Sequence, residues 1–157
     1  MKVKELMTRS VVTLKPYDTI KDAATLMFEH NVGGIPVVDD ESHVVGYITD
    51  RDIVIRGIAQ NNDAKTRLED VMTTNLITVS PEDEIGSCTH VMSHRQVRRL
   101  LIVDENQKLV GILAMADIST QPETDSRAGI ALSYISQIST DIESNPHHGV
   151  DVMDFPL

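Results

Sequence analysis

The chain carries one segment twice, and this repeat constrains its fold more than any other feature. A shift of 65 positions aligns the two copies without a gap between Val3 and Ile53. The matching positions are Met7-Thr8 with Met72-Thr73, Pro16 with Pro81, Val38-Asp39 with Val103-Asp104, Gly46 with Gly111, and Asp52-Ile53 with Asp117-Ile118. A gap-free repeat of this length indicates one structural unit in two copies. Two such units pack most simply about a pseudo-twofold axis, which creates paired clefts between them.

Each copy is predicted to fold as β-α-β-β-α, which gives a mixed α/β (α+β) architecture. Apolar runs at 11–14, 35–38 and 44–48 indicate strands, as do their counterparts at 76–79, 100–103 and 109–113. Helical spacing separates these runs. The first copy places Ile20, Ala23, Ala24, Met27 and Phe28 on one helix, capped by Asp18 or Thr19, and Ile53, Val54 and Ile58 on the next. The corresponding helix of the second copy carries Ile85, Cys88, Thr89 and Met92.

The repeat also divides the chain. We expect a first repeat at 1–60, a polar linker at 61–65, a second repeat at 66–121, and a C-terminal helix and tail at 122–157. The apolar positions of the third helix are Ile130, Ala131, Tyr134, Ile135 and Ile138. Their spacing predicts that this helix packs on the module or on another subunit.

The charge of the chain excludes several classes of partner. Fourteen basic residues face 24 acidic ones, a net charge of −10, which opposes binding to nucleic acid or to anionic membrane surfaces. No apolar run approaches the roughly 20 residues of a membrane span, and the N-terminus lacks the apolar core of a signal peptide. The sequence predicts a soluble cytoplasmic protein. Its single cysteine, Cys88, is read as a small buried residue.

The most specific local string runs from Gly46 to Asp52, where a strand leads into a helix. A helix N-terminus offers unpaired N–H groups and partial positive charge, and therefore favours phosphate. Thr49 could hydrogen-bond a phosphate, while Asp52 could accept both hydroxyls of a ribose. The same residues could equally form an ordinary helix cap followed by a first-turn acid.

The combination of this string with the repeat resembles the cystathionine β-synthase (CBS) domain pair. The resemblance lies in the pattern GhhTxxD, which ends here at Asp52, in the strand NVGGIPVVDD at 31–40, and in the spacing of the copies. It covers about 3–119 and is closest to the small stand-alone bacterial type. It implies two repeats packed sheet to sheet, two equivalent clefts, and a disc-like homodimer of modules.

The resemblance also implies which residues line the clefts. The motif acid is expected to hold the ribose, the motif threonine and basic residues the phosphates, and apolar residues the adenine. For the first cleft this gives Tyr47, Thr49 and Asp52, faced by Ser80, Ile85, Val97 and Arg98. For the second cleft it gives Arg99, Ile112 and Asp117, faced by Lys15, Ile20, Val32 and Gly33.

The two copies differ at these positions. Ala114 stands where the first copy has Thr49, and Arg98-Arg99 stand where it has Gly33-Gly34. Charge-assisted contacts to phosphate are stronger than neutral ones. We therefore expect a phosphorylated adenosine in the Asp52 cleft. The Asp117 cleft would be empty, weaker, or suited to a less charged adenosyl ligand.

No catalytic pattern accompanies the clefts. The sequence has no nucleophile elbow, triad string, phosphate-binding loop or dinucleotide fingerprint, and His147-His148 have no third metal ligand fixed nearby. The leading interpretation is a non-enzymatic regulatory module that needs no cofactor, binds AMP, ADP or ATP, and forms a homodimer. The alternatives are an interaction module with degenerate clefts that holds an unidentified protein partner, and a sensor of S-adenosylmethionine or a cyclic dinucleotide.

Overall fold

The protein has a mixed α/β fold in a computed structural model that describes residues 1–121 and 125–136, with only the backbone at 125–127. The elements of the first copy are α1 (Val3–Leu6), α2 (Ile20–His30), β1 (Gly34–Val38), β2 (Val44–Thr49) and α3 (Asp50–Asp52). Those of the second copy are β3 (Thr78–Val79), α4 (Ile85–Arg95), β4 (Arg99–Val103), β5 (Leu109–Ala114) and α5 (Met115–Ser119). A final helix, α6, spans Asp125–Ser136. None of the described helices is long and apolar enough to cross a membrane.

The two copies have the same strand register. Strand β1 pairs antiparallel with β2, starting from Gly34 opposite Thr49, and β4 pairs with β5, starting from Arg99 opposite Ala114. Each pair contains one irregularity at the same place, after Val37 and after Ile102. The structure therefore confirms the repeat as a three-dimensional repeat. A bridge between His43 and Lys108 joins the turns of the two hairpins.

The predicted first strand of copy one is reduced to a single bridge. Leu14 pairs with Val37, donating from its N–H to the carbonyl of Pro36 at 3.0 Å and accepting from the N–H of Val38 at 2.8 Å. Extending this parallel pairing by one residue toward the N-terminus would need an N–H from Pro36, which proline lacks. The second copy has Leu101 at that position, and there Thr78 and Val79 pair in parallel with Leu101 and Ile102.

Helix α2 confirms the predicted helix but buries a narrower face. Thr19 caps it, because its hydroxyl oxygen accepts the N–H of Asp22 at 3.2 Å. Ile20, Ala23 and Met27 are buried, whereas Ala24 is exposed and Phe28 is 88% exposed. The predicted apolar face was therefore wrong at its outer edge. In α4 all four predicted positions are buried.

The predicted second helix of copy one is irregular. Beyond α3 the chain continues through a π-helical turn (Ile53–Gly57) and a 3₁₀ turn (Ile58–Gln60). Ile53 is buried, whereas Val54 and Ile58 are 54% and 66% exposed. In this segment the helical period is broken, so three apolar residues do not share one face.

Each copy begins with a segment that packs on the other copy. Val3 and Met7 belong to the core of copy two, and Leu68 and Val71 belong to the core of copy one. The backbone repeats this exchange, because Thr8 pairs with Ile112 of β5 just as Thr73 pairs with Tyr47 of β2. The boundary at 61–65 stays a prediction, and each core contains residues from both sides of it.

Helix α6 packs on the second copy. Ala128, Ala131 and Ile135 are buried in its core, against α4 and α5, whereas Ile130 and Tyr134 are 61% and 54% exposed. Of the two expected locations for this helix, the structure shows the module itself. The predicted position Ile138 and the tail from 137 lie outside the described residues.

Candidate functional site

The junction between β2 and α3 forms a reciprocal helix cap. The hydroxyl oxygen of Thr49 accepts the N–H of Asp52 at 3.0 Å, and Oδ2 of Asp52 accepts the N–H of Thr49 at 3.0 Å. The threonine hydroxyl acts here as an acceptor, so its own proton can still be donated. The ordinary capping role is therefore present, and it leaves both side chains with hydrogen-bonding capacity for a ligand.

Asp52 is buried, with 6% of its surface exposed. Burial raises the pKa of its carboxyl, while the hydrogen bonds from Thr49 and the positive charge of Arg56 oppose this rise. Oδ1 lies 3.9 Å from Nε of Arg56, an ion pair that is too long for a direct hydrogen bond. This oxygen is the one that the cap does not use.

The second junction, between β5 and α5, keeps only half of the cap. Oδ2 of Asp117 accepts the N–H of Ala114 at 2.8 Å, but Ala114 has no hydroxyl to return the bond. Asp117 is half-buried, and the uncharged Gln121 stands where the first copy has Arg56. The two candidate clefts are therefore unequal in hydrogen bonding and in charge.

Tyr47 lies over the start of β1 in the first copy. A side chain at position 34 would collide with its hydroxyl, so Gly34 makes room for the ring. Burial raises the pKa of this phenol, the positive charge of Arg99 lowers it, and Asp50 and Asp52 raise it further. Within the described residues the buried hydroxyl has no hydrogen-bond partner. A buried donor without a partner is costly and marks a place where a ligand could supply one.

Backbone hydrogen bonds show which junction Gly33 and Arg98 flank. The carbonyl of Arg98 accepts the N–H of Met115 at 2.9 Å, as the carbonyl of Gly33 accepts that of Asp50 at 3.0 Å. Each of these residues therefore lies beside the junction of its own copy, so Arg98 flanks the Asp117 junction and Gly33 the Asp52 junction. The charge that reaches Tyr47 in the first copy is that of Arg99.

Several other predicted residues are already engaged. Lys15 donates from Nζ to the carbonyl of Asp39 at 2.6 Å and lies 3.5 Å from Asp40, so its charge is tied to the hairpin turn. Ile20 and Ile85 are 7% and 2% exposed and pack inside the two cores, and their role as cleft walls stays a prediction.

The remaining predicted residues keep some exposed surface. Ser80 accepts the N–H of Glu82 at 3.2 Å within the turn before α4. Val97 is partly buried against the core of copy two, and Val32 is 39% exposed. Ile112, the repeat partner of Tyr47, is half-buried on β5. Their roles as cleft walls stay predictions.

A surface cavity of about 590 Å³ lies elsewhere, between α4 and α6. It contains no predicted cleft residue, and its lining residues are Gly86, Thr89, His90, Ser93, His94, Gln96, Ile130, Ala131 and Tyr134. On the same helix, burial raises the pKa of the Cys88 thiol to about 11, so it stays protonated at neutral pH. A protonated, buried thiol is a poor nucleophile.

Sequence reasoning missed Arg56. Its contact with Asp52 follows from a spacing of four residues, which a regular helix would also bring together. The repeat comparison could have found it, since the aligned residue is Gln121.

Comparison with known proteins identifies the family of the chain. The CBS domain matches the chain twice, at residues 3–57 and 68–121. The CBS domain-containing protein YhcV of Bacillus subtilis (strain 168) is 43% identical over 134 residues, which covers 85% of this chain and 94% of the relative.

Solved structures show the same fold. The CBS domain pair of protein MJ0100, in complex with 5′-methylthioadenosine and S-adenosyl-L-methionine, superposes with a TM-score of 0.69 at 31% identity, covering 76% of this chain and 94% of that one. The CBS domain protein PAE2072 from Pyrobaculum aerophilum, complexed with AMP, has a TM-score of 0.73 over 83% of this chain and 99% of that one; at 23% identity this likeness concerns the fold. The chain therefore belongs to the CBS domain family, as a tandem pair of CBS domains.

Proposed function

We propose that this CBS pair is a non-enzymatic regulatory module that binds an adenosine nucleotide at the Thr49–Asp52 junction. The observation that carries the proposal is the cap itself, because it orients a buried carboxylate and leaves Oδ1 outside the cap. A vicinal ribose diol can donate two hydrogen bonds to such an acceptor. The adenosyl ligands of the MJ0100 pair support this class of ligand.

The phosphates would meet donors of both copies. The Thr49 hydroxyl keeps its proton for donation, and the exposed Arg99 brings positive charge toward Tyr47. An arginine can form two parallel hydrogen bonds with a phosphate. The Asp117 junction lacks the hydroxyl, so we expect weaker binding there or preference for an adenosyl ligand with less charge.

We further propose that two modules form a homodimer through the helical face of copy one. Phe28, Val54 and Ile58 are exposed there, and α2 contacts the π-helical turn that carries Val54. The corresponding face of copy two is covered by α6. A large exposed apolar surface on a small protein commonly marks an interface.

Calorimetry tests the nucleotide proposal. Wild type is titrated with AMP, ADP, ATP, S-adenosylmethionine and 5′-methylthioadenosine, alongside Asp52→Ala and the matched variant Asp117→Ala. Loss of charge-assisted hydrogen bonds worth about 2–3 kcal/mol predicts roughly a 30- to 150-fold weaker affinity for Asp52→Ala. Asp117→Ala should leave the tighter site unchanged.

Native mass spectrometry of the same samples gives the number of subunits and of bound ligands. Failure of every adenosyl compound to bind, or equal affinity of wild type and Asp52→Ala, would refute the nucleotide proposal. In that case the interaction module remains, and a persistent dimer would support it. A monomer at micromolar concentration would refute the homodimer.

A further inference from the structure

Arg56 connects the candidate site to the segment that opens the second copy. Its side chain is 18% exposed, and Nη1 donates to the carbonyls of Val71 at 3.4 Å and Met72 at 3.2 Å. On its other side, Nε lies 3.9 Å from Oδ1 of Asp52. One guanidinium therefore forms an ion pair with the buried acid and donates to the backbone at 71 and 72.

Segment 71–73 in turn holds Tyr47. The N–H of Thr73 donates to the carbonyl of Tyr47 and the N–H of Tyr47 donates to the carbonyl of Thr73, both at 2.9 Å. Val71 is 1% exposed in the core of copy one. The chain of contacts thus runs from Asp52 through Arg56 and segment 71–73 back to Tyr47, whose ring lies over Gly34.

The second copy has the same frame without the cation. Thr8 and Ile112 exchange the equivalent two hydrogen bonds, at 2.9 and 3.0 Å. The position of Arg56 is occupied by Gln121, which has no charge to offer Asp117. The two paired backbone hydrogen bonds are therefore common to both copies. The guanidinium is present at this position only in the first copy.

We propose that Arg56 is a positioning residue that couples the ionised state of Asp52 to the docking of segment 71–73 on Tyr47. This inference rests on the proposed function only for the ligand whose binding the coupling would transmit. A ligand over Asp52 excludes water, and the attraction between Asp52 and Arg56 grows as the local dielectric falls. The guanidinium is then held more firmly against the Val71 and Met72 carbonyls. Binding at one cleft therefore tightens the contact between the two repeats.

Several charged groups act on Asp52 and its neighbourhood. Arg56 lowers the pKa of Asp52, whereas burial and Asp50 raise it. Tyr47 stays neutral at ordinary pH, and Arg99 acts on Tyr47 from copy two. Removing the Arg56 charge leaves burial and Asp50 unopposed apart from the Thr49 hydrogen bonds. The pKa of Asp52 should then rise further.

The first test uses the ligand-free protein. Carboxyl ¹³C NMR gives the pKa of Asp52, and hydrogen exchange gives the protection of the Thr73 and Tyr47 amides, in wild type, Arg56→Gln and Arg56→Lys. Arg56→Gln should raise the pKa of Asp52 and lower protection of both amides about tenfold. Arg56→Lys should keep the pKa near wild type, because the charge remains. It should lose the protection, because one ammonium cannot reach Asp52 and the Val71 and Met72 carbonyls at once, as Nε and Nη1 of the guanidinium do.

The matched control is Gln121→Arg, which adds the cation to the second copy and should leave the pKa of Asp52 unchanged. An unchanged Asp52 pKa in Arg56→Gln, or equal loss of protection throughout the molecule, would overturn the coupling. The second of these results would mean that Arg56 serves general stability.

The second test adds AMP. Arg56→Gln should bind AMP about tenfold more weakly at pH 7, with the loss growing toward acidic pH as Asp52 takes up its proton. AMP should increase protection of the Thr73 amide in wild type but not in Arg56→Gln. AMP binding that leaves Thr73 unaffected in wild type would overturn the coupling. Absence of AMP binding to wild type would instead count against the proposed AMP ligand, while the ligand-free measurements still decide the role of Arg56.

Discussion

Gly46 offers a direct test of the exchange of opening segments between the two copies. A Cβ at this position would lie 2.9 Å from Cγ and Cε of Met72 and closer still to Sδ. Carbon atoms in contact prefer separations of about 3.5–4.0 Å. Gly46→Ala therefore forces Met72 out of its place between β2 and the core of copy one.

The expected cost is that of overpacking. Inserting a methyl group into a packed site typically costs about 1–3 kcal/mol. For a domain of this size each kcal/mol lowers Tm by roughly 2–4 °C, so a loss of about 2 kcal/mol predicts a fall of roughly 4–8 °C. Urea unfolding monitored by circular dichroism measures the free energy of unfolding, and calorimetry measures Tm.

A double-mutant cycle isolates the contact. Met72→Ala removes the side chain that Gly46→Ala would strike, so the double variant should be about as stable as Met72→Ala alone. The coupling energy should be about 1–2 kcal/mol. Gly129→Ala is the control, since nothing lies within 4 Å of the added carbon and alanine favours the helix. Additive effects of Gly46→Ala and Met72→Ala, within about 0.5 kcal/mol, would refute the exchanged packing.

Two further predictions concern Asp52 and α6. Because burial raises the pKa of Asp52, the folded state binds a proton that the unfolded state releases, and this contribution to stability declines as pH rises above about 4. The free energy of unfolding of Asp52→Asn should therefore gain on that of wild type between pH 4 and pH 7 in urea titrations; a constant difference would contradict the raised pKa. Ile135→Ala should cost about 2–4 kcal/mol, because this side chain is 4% exposed, whereas Tyr134→Ala, at a position 54% exposed, should cost under about 1 kcal/mol. Equal losses in chemical unfolding would contradict the docking of α6 on copy two.

Much of the secondary structure was predictable from local pattern. The strands β1, β2, β4 and β5 and the helices α2 and α4 lie where apolar periodicity placed them, because each buries one face or both. The failures have local physical causes as well. Pro36 of β1 lacks the N–H that pairing with the predicted first strand would need. A π-helical turn after Asp52 replaces the regular helix predicted there.

The candidate site was predictable in part. The capping residues Thr49 and Asp52 are three positions apart in the sequence, so sequence spacing suffices to find them. Arg56 lies four residues after Asp52, so spacing could also have found it. A spacing rule does not apply to a partner from the other copy. Arg99, whose positive charge acts on Tyr47, lies on another strand and in the other repeat.

The sequence by itself determined that this protein has two copies of one α/β unit. It also determined that each copy has an aspartate at a strand–helix junction, and that the two junctions differ at Thr49 and Ala114. Tertiary structure decided which copy covers each apolar face, since Val3 and Leu68 each pack on the core of the other repeat. It also decided where Arg56 connects Asp52 to segment 71–73. The physical reason is that periodicity encodes which face of an element must be buried. The residues that bury it are chosen by packing between segments far apart in the chain.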